Sequence, residues 1–209
     1  MTTPLPADAE TLFARLRDSL KDALGASCNG QAQEGPDALA GVDPTMPMGE
    51  GAAGSGSEAA QAGSADAPAF IGIHTGGAWL AARLHAELGL SSPLGFLSSA
   101  FYRDDVQARG LSMRMQPTRI DFDVNGRDIV LVDDILHTGR TIRAALNEIF
   151  DYGRPARVRL AVLIDRGERE LPVQPDHVGT RLVLQPGEKL ALSQRTNGMF
   201  ELRVETVQA

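Results

Sequence analysis

Two adjacent carboxylates at the end of a short apolar run have the residue types and the spacing to bind a ligand. Asp133 and Asp134 come directly after residues 129–132, which read Ile-Val-Leu-Val. Neighbouring carboxylates repel each other unless hydroxyl groups or a cation lie beside them. Ribose 2′- and 3′-hydroxyls would meet that need, and so would Mg²⁺ with its bound waters. We therefore interpret the pair as a site for a sugar or a divalent cation.

A second polar group follows after a short spacer, where Thr138, Gly139, Arg140 and Thr141 open a predicted helix. Backbone N–H groups, two hydroxyls and the positive end of the helix dipole converge there, and such groups together bind phosphate. Carboxylates for a sugar, followed by a cup for a phosphate, indicate a ribose-phosphate ligand.

Other interpretations of these residues exist. Asp133 could cap a helix, with Thr141 in its first turn. Receiver domains also place paired acids after a strand, but they need a further aspartate and a lysine after later strands. Asp165 follows an apolar run at 160–164, yet no lysine occurs between residues 22 and 187. The glycine-rich P-loop, which requires a glycine directly before a lysine, does not occur either.

The composition limits the class of protein. A net charge of −7 argues against a protein built mainly to bind nucleic acid. The single cysteine, Cys28, excludes an intramolecular disulfide and a cysteine zinc cluster. Residues 1–12 do not resemble a signal peptide, and no apolar run approaches membrane-spanning length. We expect a cytoplasmic protein without a membrane segment.

The elements that must position the carboxylates alternate between strands and helices. This alternation predicts an α/β fold with a mainly parallel central sheet flanked by helices. The pattern predicts helices at 8–24, 78–88 and 141–151, the first capped by Asp8 and ended by Gly25. It predicts strands at 70–73, 94–102, 118–124, 128–132 and 157–164, with short strands at 181–184, 189–193 and 200–207 completing the sheet.

The chain divides by composition into three parts. Residues 1–24 form an amphipathic helix that should pack on the core, and residues 68–209 form the main domain. Residues 25–67 are rich in Gly, Ala and Ser, hold six acidic residues and lack basic and aromatic ones. So little apolar surface cannot offset the entropy of ordering the chain, so we predict a disordered acidic insertion.

Residues 129–141, IVLVDDILHTGRT, resemble the phosphoribosyl-pyrophosphate-binding motif of type I phosphoribosyltransferases. The stretches 102–105 (YRDD) and 165–172 (DRGERELP) make the chain similar to the PyrR family of pyrimidine-operon regulators, which are also uracil phosphoribosyltransferases. The resemblance runs from about residue 70 to the C-terminus. It implies the type I phosphoribosyltransferase fold with a small hood region, Mg²⁺ as cofactor, and phosphoribosyl pyrophosphate, uracil and UMP as ligands.

The resemblance also assigns roles to residues. Catalytic roles fall on Asp133, Asp134 and Arg103, the last in a loop that closes over the site; the two aspartates would also contact the metal. Phosphoribosyl pyrophosphate would bind Asp133, Asp134, Ile135, Leu136, His137, Thr138, Gly139, Arg140 and Thr141. The pyrophosphate loop would be His74, Thr75, Gly76 and Gly77. Uracil would contact Ile164, Asp165 and Arg166, mostly through backbone groups.

Two positions depart from the family pattern. The pyrophosphate loop of relatives typically reads Thr-Arg-Gly, whereas here Gly76 takes the place of the arginine. The missing guanidinium removes a bidentate partner for an anionic leaving group. His137 stands where relatives often carry tyrosine; it either contacts substrate or is a partly exposed loop side chain.

Three hypotheses follow. The first is an active uracil phosphoribosyltransferase, the second an RNA-binding attenuation regulator that senses nucleotides, and the third a phosphoribosyltransferase fold degenerate in catalysis. Binding to pyrimidine-leader mRNA requires clustered cations. The candidates are Arg15, Arg17, Lys21, Arg143, Arg154, Arg157 and Arg159, and each could equally be an ordinary solvated side chain. We also expect a homodimer or a higher homo-oligomer.

Overall fold

The computed structural model describes residues 3–29, 67–98 and 116–206. Most of the predicted insertion at 25–67, and the 102–105 stretch with Arg103, lie outside these residues, as does the Cys28 side chain. Among the described segments, no helix is both long and apolar enough to cross a membrane.

Five parallel strands form the central sheet in the order β2-β1-β3-β4-β5, which confirms the predicted fold class. Their bounds are β1 Ala69–Ile73, β2 Leu94–Leu97, β3 Asp128–Leu136, β4 Arg157–Asp165 and β5 His177–Arg181. The chain passes from β1 outward to β2 and then returns to the other side of β1 for β3. The strand order therefore reverses between β1 and β3, and open α/β sheets bind their ligands at such a point.

Helices cover both faces of the sheet. Helices α1 (Ala9–Asn29) and α2 (Gly76–Glu87) pack on the face that carries Val130, Val132 and Leu163. Helix α3 (Arg140–Tyr152) packs on the opposite face, against Leu131 and Val162. These alternating strand residues are fully buried, which explains why the strands read as continuous apolar runs.

Helix α1 begins as its sequence predicts but ends later. The Asp8 carboxylate accepts a hydrogen bond from the Thr11 N–H at 2.9 Å, which caps the helix. The helix continues through Gly25 to Asn29, so the predicted end at Gly25 is wrong. A glycine inside a helix costs only about 1 kcal/mol and does not by itself end it.

Two predicted strands are wrong: one is not a strand, and the other lies at different residues. Residues 118–124 form no strand; only Arg119 makes an antiparallel bridge, to Phe96, although Ile120 and Val124 are buried as the alternation indicated. The strand predicted at 181–184 is replaced by β5. In β5, a Cβ on Gly179 would lie 2.6 Å from the Leu163 carbonyl oxygen and 2.8 Å from that of Leu12. Because α1 crosses the strand so closely, only glycine fits at position 179. Glycine is unfavourable in strands, so the sequence pattern of β5 did not predict a strand there.

The last two strands form a separate hairpin instead of completing the sheet. Strands β6 (Glu188–Gln194) and β7 (Phe200–Thr206) pair only with each other and are antiparallel. Phe200 packs on Phe13 of α1, with ring centroids 5.4 Å apart, and the Arg83 guanidinium of α2 lies over both rings. The Glu10 carboxylate accepts hydrogen bonds from Arg83 and from the Phe200 N–H. This cluster holds the hairpin on α1 and α2.

We expect His177 to make stability depend on pH. It is buried in β5, and its Nδ1 lies 3.0 Å from the Ser19 hydroxyl. Burial, with Arg159 nearby, lowers the pKa of His177 below its ordinary value of 6.5, against a smaller opposing effect of Asp176. The unfolded chain therefore binds this proton more readily, and the free energy of unfolding should fall as the pH drops below about 6.5.

The measurement is urea unfolding between about pH 8 and about pH 5.5, for the wild type and for His177→Gln, whose side chain does not titrate. The wild type should lose more unfolding free energy than the variant over this window. Parallel pH profiles would contradict the prediction.

Candidate functional site

The predicted site residues lie at one edge of the sheet, where the carboxyl ends of β1, β3 and β4 meet. Gly72 of β1 pairs with Val132 of β3, and Leu136 of β3 pairs with Asp165 of β4. Three loops therefore leave the sheet side by side: 74–75 after β1, 137–139 after β3, and 166–176 after β4. The first two flank the β1/β3 reversal.

The two carboxylates lie within β3 instead of following it. Asp133 is 3% exposed, whereas Asp134 is half-buried. The Asp133 carboxylate accepts a hydrogen bond from the Asp134 N–H at 3.0 Å, and that of Asp134 accepts one from the Ile135 N–H at 3.0 Å. The strand conformation excludes Asp133 as a helix cap, and pleating directs the two side chains to opposite faces.

The predicted pyrophosphate loop is shorter than the sequence indicated. Only His74 and Thr75 lie in the loop, joined by a cis peptide bond, while Gly76 and Gly77 form the first turn of α2. A Cβ on Gly76 would lie 2.2 Å from an Asp134 carboxylate oxygen. A Cβ on Gly77 would lie 2.4 Å from the Val132 carbonyl oxygen. The start of α2 therefore rests directly on the acidic end of β3.

His74 and Thr75 also line a cleft of about 710 Å³ between α2, β2 and the β6–β7 turn. The His74 ring lies 5.6 Å from the Phe96 ring, centroid to centroid. Trp79 and Met199 complete its apolar walls.

Residues 138–141 lie at the start of a helix, as the sequence predicts, and phosphate binding by this cup stays a prediction. Gly139 has a φ of 92° and precedes α3, and its carbonyl accepts the Arg143 N–H at 2.9 Å. The Thr138 carbonyl accepts the N–H groups of Glu170 and Leu171, both at 3.1 Å. The Arg140 guanidinium donates to the Glu170 carboxylate, with Nε–O at 2.8 Å. The cup is thus braced by the loop after β4.

The predicted base-contacting residues lie at the end of β4 and just beyond it. Ile164 and Asp165 are buried, and Arg166 is half-buried. The Asp165 carboxylate accepts hydrogen bonds from the Gly167 N–H and from the Arg169 guanidinium. Both bonds are to Oδ1, and they tie the loop to the end of β4. Beside the loop lies a cleft of about 380 Å³.

The structure adds Arg169 to the candidate site. The sequence assigns this residue no role, although it lies in the 165–172 stretch that resembles the PyrR family. It sits between the loops after β3 and β4 and donates to groups in both. His137 lies nearby, with its Nε2 3.1 Å from the Glu168 carboxylate and a side chain that is 39% exposed. The spacing of four residues between Asp165 and Arg169 is the sequence feature that could have predicted this ion pair.

The candidate RNA-binding cations do not form one surface. Those on α1 lie on one face of the sheet, and Arg143 on α3 lies on the other. Arg17 is paired with Asp18 and Glu87, and Arg157 is paired with Asp128. The paired side chains have reduced capacity to bind phosphates.

Comparison with known proteins places this chain among the phosphoribosyltransferases. The model of the phosphoribosyl transferase domain matches residues 56–184. A bifunctional protein PyrR from Nitrosococcus oceani is 56% identical over 128 residues, which are 60% of this chain and 72% of that protein. The protein of the same name from Pseudomonas aeruginosa is 54% identical over 125 residues, 60% of this chain and 74% of that protein.

Solved structures show the same fold. A hypoxanthine-guanine phosphoribosyltransferase from Bacillus anthracis superposes with a TM-score of 0.54 at 16% identity, covering 91% of this chain and 88% of that one. The enzyme from Leishmania tarentolae, solved with GMP, gives a TM-score of 0.51 at 16% identity, over 88% and 83% of the two chains.

Two glycine substitutions should have different effects. In Gly77→Ala the new methyl group meets the Val132 backbone, which cannot move aside, so we expect a loss of about 2 kcal/mol in unfolding free energy. In Gly76→Ala the Asp134 carboxylate can rotate away, but the Asp134 Cβ, 2.9 Å from the new methyl group, moves only with the backbone. This variant should therefore lose less stability than Gly77→Ala. It should bind ribose 5-phosphate about tenfold more weakly, because the Asp134 carboxylate is displaced.

Urea unfolding and calorimetric titration with ribose 5-phosphate measure the two effects, and each variant serves as the control for the other. Wild-type stability in Gly77→Ala together with wild-type affinity in Gly76→Ala would contradict the described packing.

Proposed function

We propose that this chain, which belongs to the phosphoribosyltransferase family and within it to the PyrR proteins, transfers the phosphoribosyl group of phosphoribosyl pyrophosphate to uracil. The products are UMP and pyrophosphate. The observation that carries the proposal is the continuous segment from Asp133 to Thr141, which joins two strand-end carboxylates to a phosphate cup at the β1/β3 reversal. The identity to the PyrR proteins supports uracil as the base.

Each part of the site then has a task. Asp133 and Asp134 hold the ribose hydroxyls, and Thr138 and Thr141 hold the 5′-phosphate with the first N–H groups of α3. His74 and Thr75, next to the start of α2, receive the pyrophosphate. Backbone groups at 164–166 orient uracil. The 102–105 stretch with Arg103, outside the described residues, would close over the site and exclude water.

The reaction forms a bond from uracil N1 to C1 of the ribose and breaks the bond from C1 to the pyrophosphate oxygen. Uracil loses its N1 proton to water or to the departing pyrophosphate, and negative charge develops on the leaving group. Backbone N–H groups at the start of α2 are the described groups placed to stabilise that charge. Gly76 adds no guanidinium to them, so the chain gives the leaving group less charge stabilisation than a Thr-Arg-Gly loop would.

The carboxylates also suit Mg²⁺. Within residues 3–29, 67–98 and 116–206, no group of three or more metal-binding side chains occurs. Mg²⁺ is usually held by one or two carboxylates together with substrate phosphates and water, so Asp133 and Asp134 with phosphoribosyl pyrophosphate fit it. When bound, the ion would neutralise charge on the pyrophosphate.

A second function, regulation of pyrimidine genes through leader mRNA, is supported by the relatives' name, bifunctional protein PyrR. The arrangement of cations supports it less, since they lie on two faces of the sheet. A cytoplasmic location and assembly as a homodimer or larger oligomer belong to the same proposal and rest on the resemblance to the family.

The double variant Asp133→Asn/Asp134→Asn should lose at least about 100-fold of its UMP-forming activity, because neutral amides hold the ribose hydroxyls and Mg²⁺ less strongly. Conversion of radiolabelled uracil with Mg²⁺ and phosphoribosyl pyrophosphate measures this. Glu205→Gln, on the β6–β7 hairpin, is the matched control and should retain full activity. A wild-type protein inactive with uracil, yet folded, would refute the enzymatic proposal.

Binding to pyrimidine-leader RNA should be specific and should weaken steeply with salt, because each phosphate contact releases counterions. Filter retention over a salt series, with a scrambled RNA of equal length as control, tests the regulatory function. Equal retention of both RNAs, or none, would exclude it.

A further inference from the structure

The Arg169 side chain lies between two loops of the site and is only 19% exposed. Its Nη1 donates to the His137 carbonyl at 2.7 Å and to the Gly167 carbonyl at 2.9 Å. Its Nε donates to the Val173 carbonyl at 3.0 Å, and Nη2 donates to the Asp165 carboxylate. Nη1 also reaches the Leu136 carbonyl, at 3.5 Å. One guanidinium therefore bonds to five residues: two in the loop after β4, one at the end of β4, one at the end of β3 and one in the loop after β3.

The geometry of these bonds requires arginine. A guanidinium presents five N–H groups in a rigid plane, whereas a lysine ammonium is a point donor on a flexible chain. The Asp165 side chain, 8% exposed, balances the charge of Arg169, so the pair is not left uncompensated in the interior. Lysine would keep this charge balance but could not reach all of the carbonyls together.

The same two loops are also joined on either side of His137. The Arg166 N–H donates to the Leu136 carbonyl at 2.9 Å, and the N–H groups of Glu170 and Leu171 donate to the Thr138 carbonyl. Arg169 donates to the carbonyl of His137, which lies between Leu136 and Thr138. The three connections fix the segment that carries the phosphate cup relative to the segment that would orient the base.

We propose that Arg169 is a positioning residue that sets the spacing between the ribose-phosphate loop and the base-binding loop. The inference rests on the proposed function and deepens it. In the proposed function the base is read mostly by backbone groups of residues 164–166, where this loop begins. Backbone donors and acceptors select a base only when they are held within about 0.5 Å of the productive position.

A positioning role and a purely stabilising role of Arg169 predict different effects on ligand binding. Ribose 5-phosphate needs only the segment from Asp133 to Thr141. The N–H groups of Glu170 and Leu171 still brace the Thr138 carbonyl in that segment when the Arg169 side chain is changed. UMP spans both loops and needs the distance between them to be right. Loss of the Arg169 bonds should therefore weaken UMP binding much more than ribose 5-phosphate binding.

The test compares Arg169→Lys and Arg169→Ala with the wild type, and with Arg203→Lys as a matched control on the exposed β6–β7 hairpin. Calorimetric titration gives the affinities for UMP and for ribose 5-phosphate, and steady-state kinetics give KM for uracil. Arg169→Lys should bind UMP about tenfold more weakly, with a similar rise in KM for uracil. Its affinity for ribose 5-phosphate should stay within about twofold of the wild type, and Arg203→Lys should match the wild type throughout.

Arg169→Ala should show the larger loss, and if it fails to fold, Arg169→Lys alone decides because it keeps the charge opposite Asp165. Equal weakening of both ligands, or no weakening of either, would overturn the positioning role. A wild type that binds UMP without forming it would refute the enzymatic proposal while the binding comparison still tests Arg169. A wild type that binds neither ligand would overturn both.

Discussion

The close contact between the start of α2 and the end of β3 is the constraint on which the site depends. No Cβ fits at Gly72, Gly76 or Gly77, where one would lie within 2.8 Å of atoms of α2, Asp134 or the β3 backbone. Because these side chains are absent, the start of α2 comes to rest beside the Asp134 carboxylate and the β3 backbone. In the proposed function, donors for an anionic leaving group and acceptors for sugar hydroxyls would thereby meet at the β1/β3 reversal.

That contact also explains the departure from the family pattern at position 76. The Asp134 carboxylate occupies the space that the Cβ of an arginine would require, so glycine at this position and the observed carboxylate position belong together. The arginines beside the cup and at the end of β4 are already paired within the protein, Arg140 with Glu170 and Arg169 with Asp165. In the proposed reaction, electrostatic help for the leaving group would therefore come from backbone N–H groups and from Mg²⁺.

The sequence predicts most of the sheet and the two polar groups of the site, because both depend on local patterns. Apolar runs predict β1, β3 and β4, and Thr138–Gly139 predicts the start of α3. Features that depend on tertiary contacts escape prediction. Gly179 weakens the sequence signal of β5, and α1 crosses the strand there. Strand β3 continues past Asp133 because β4 pairs with Asp133 and Ile135. The bonds of Arg169 depend on two loops that are distant in sequence from each other.

A crystal structure of the protein with UMP tests the central claim most directly. We expect ribose hydroxyls on Asp133 and Asp134, the phosphate on the N–H groups and hydroxyls of residues 138–141, and uracil on the main chain of residues 164–166. UMP bound in the cleft between α2 and the β6–β7 turn, with its phosphate away from Thr138 and Thr141, would contradict it.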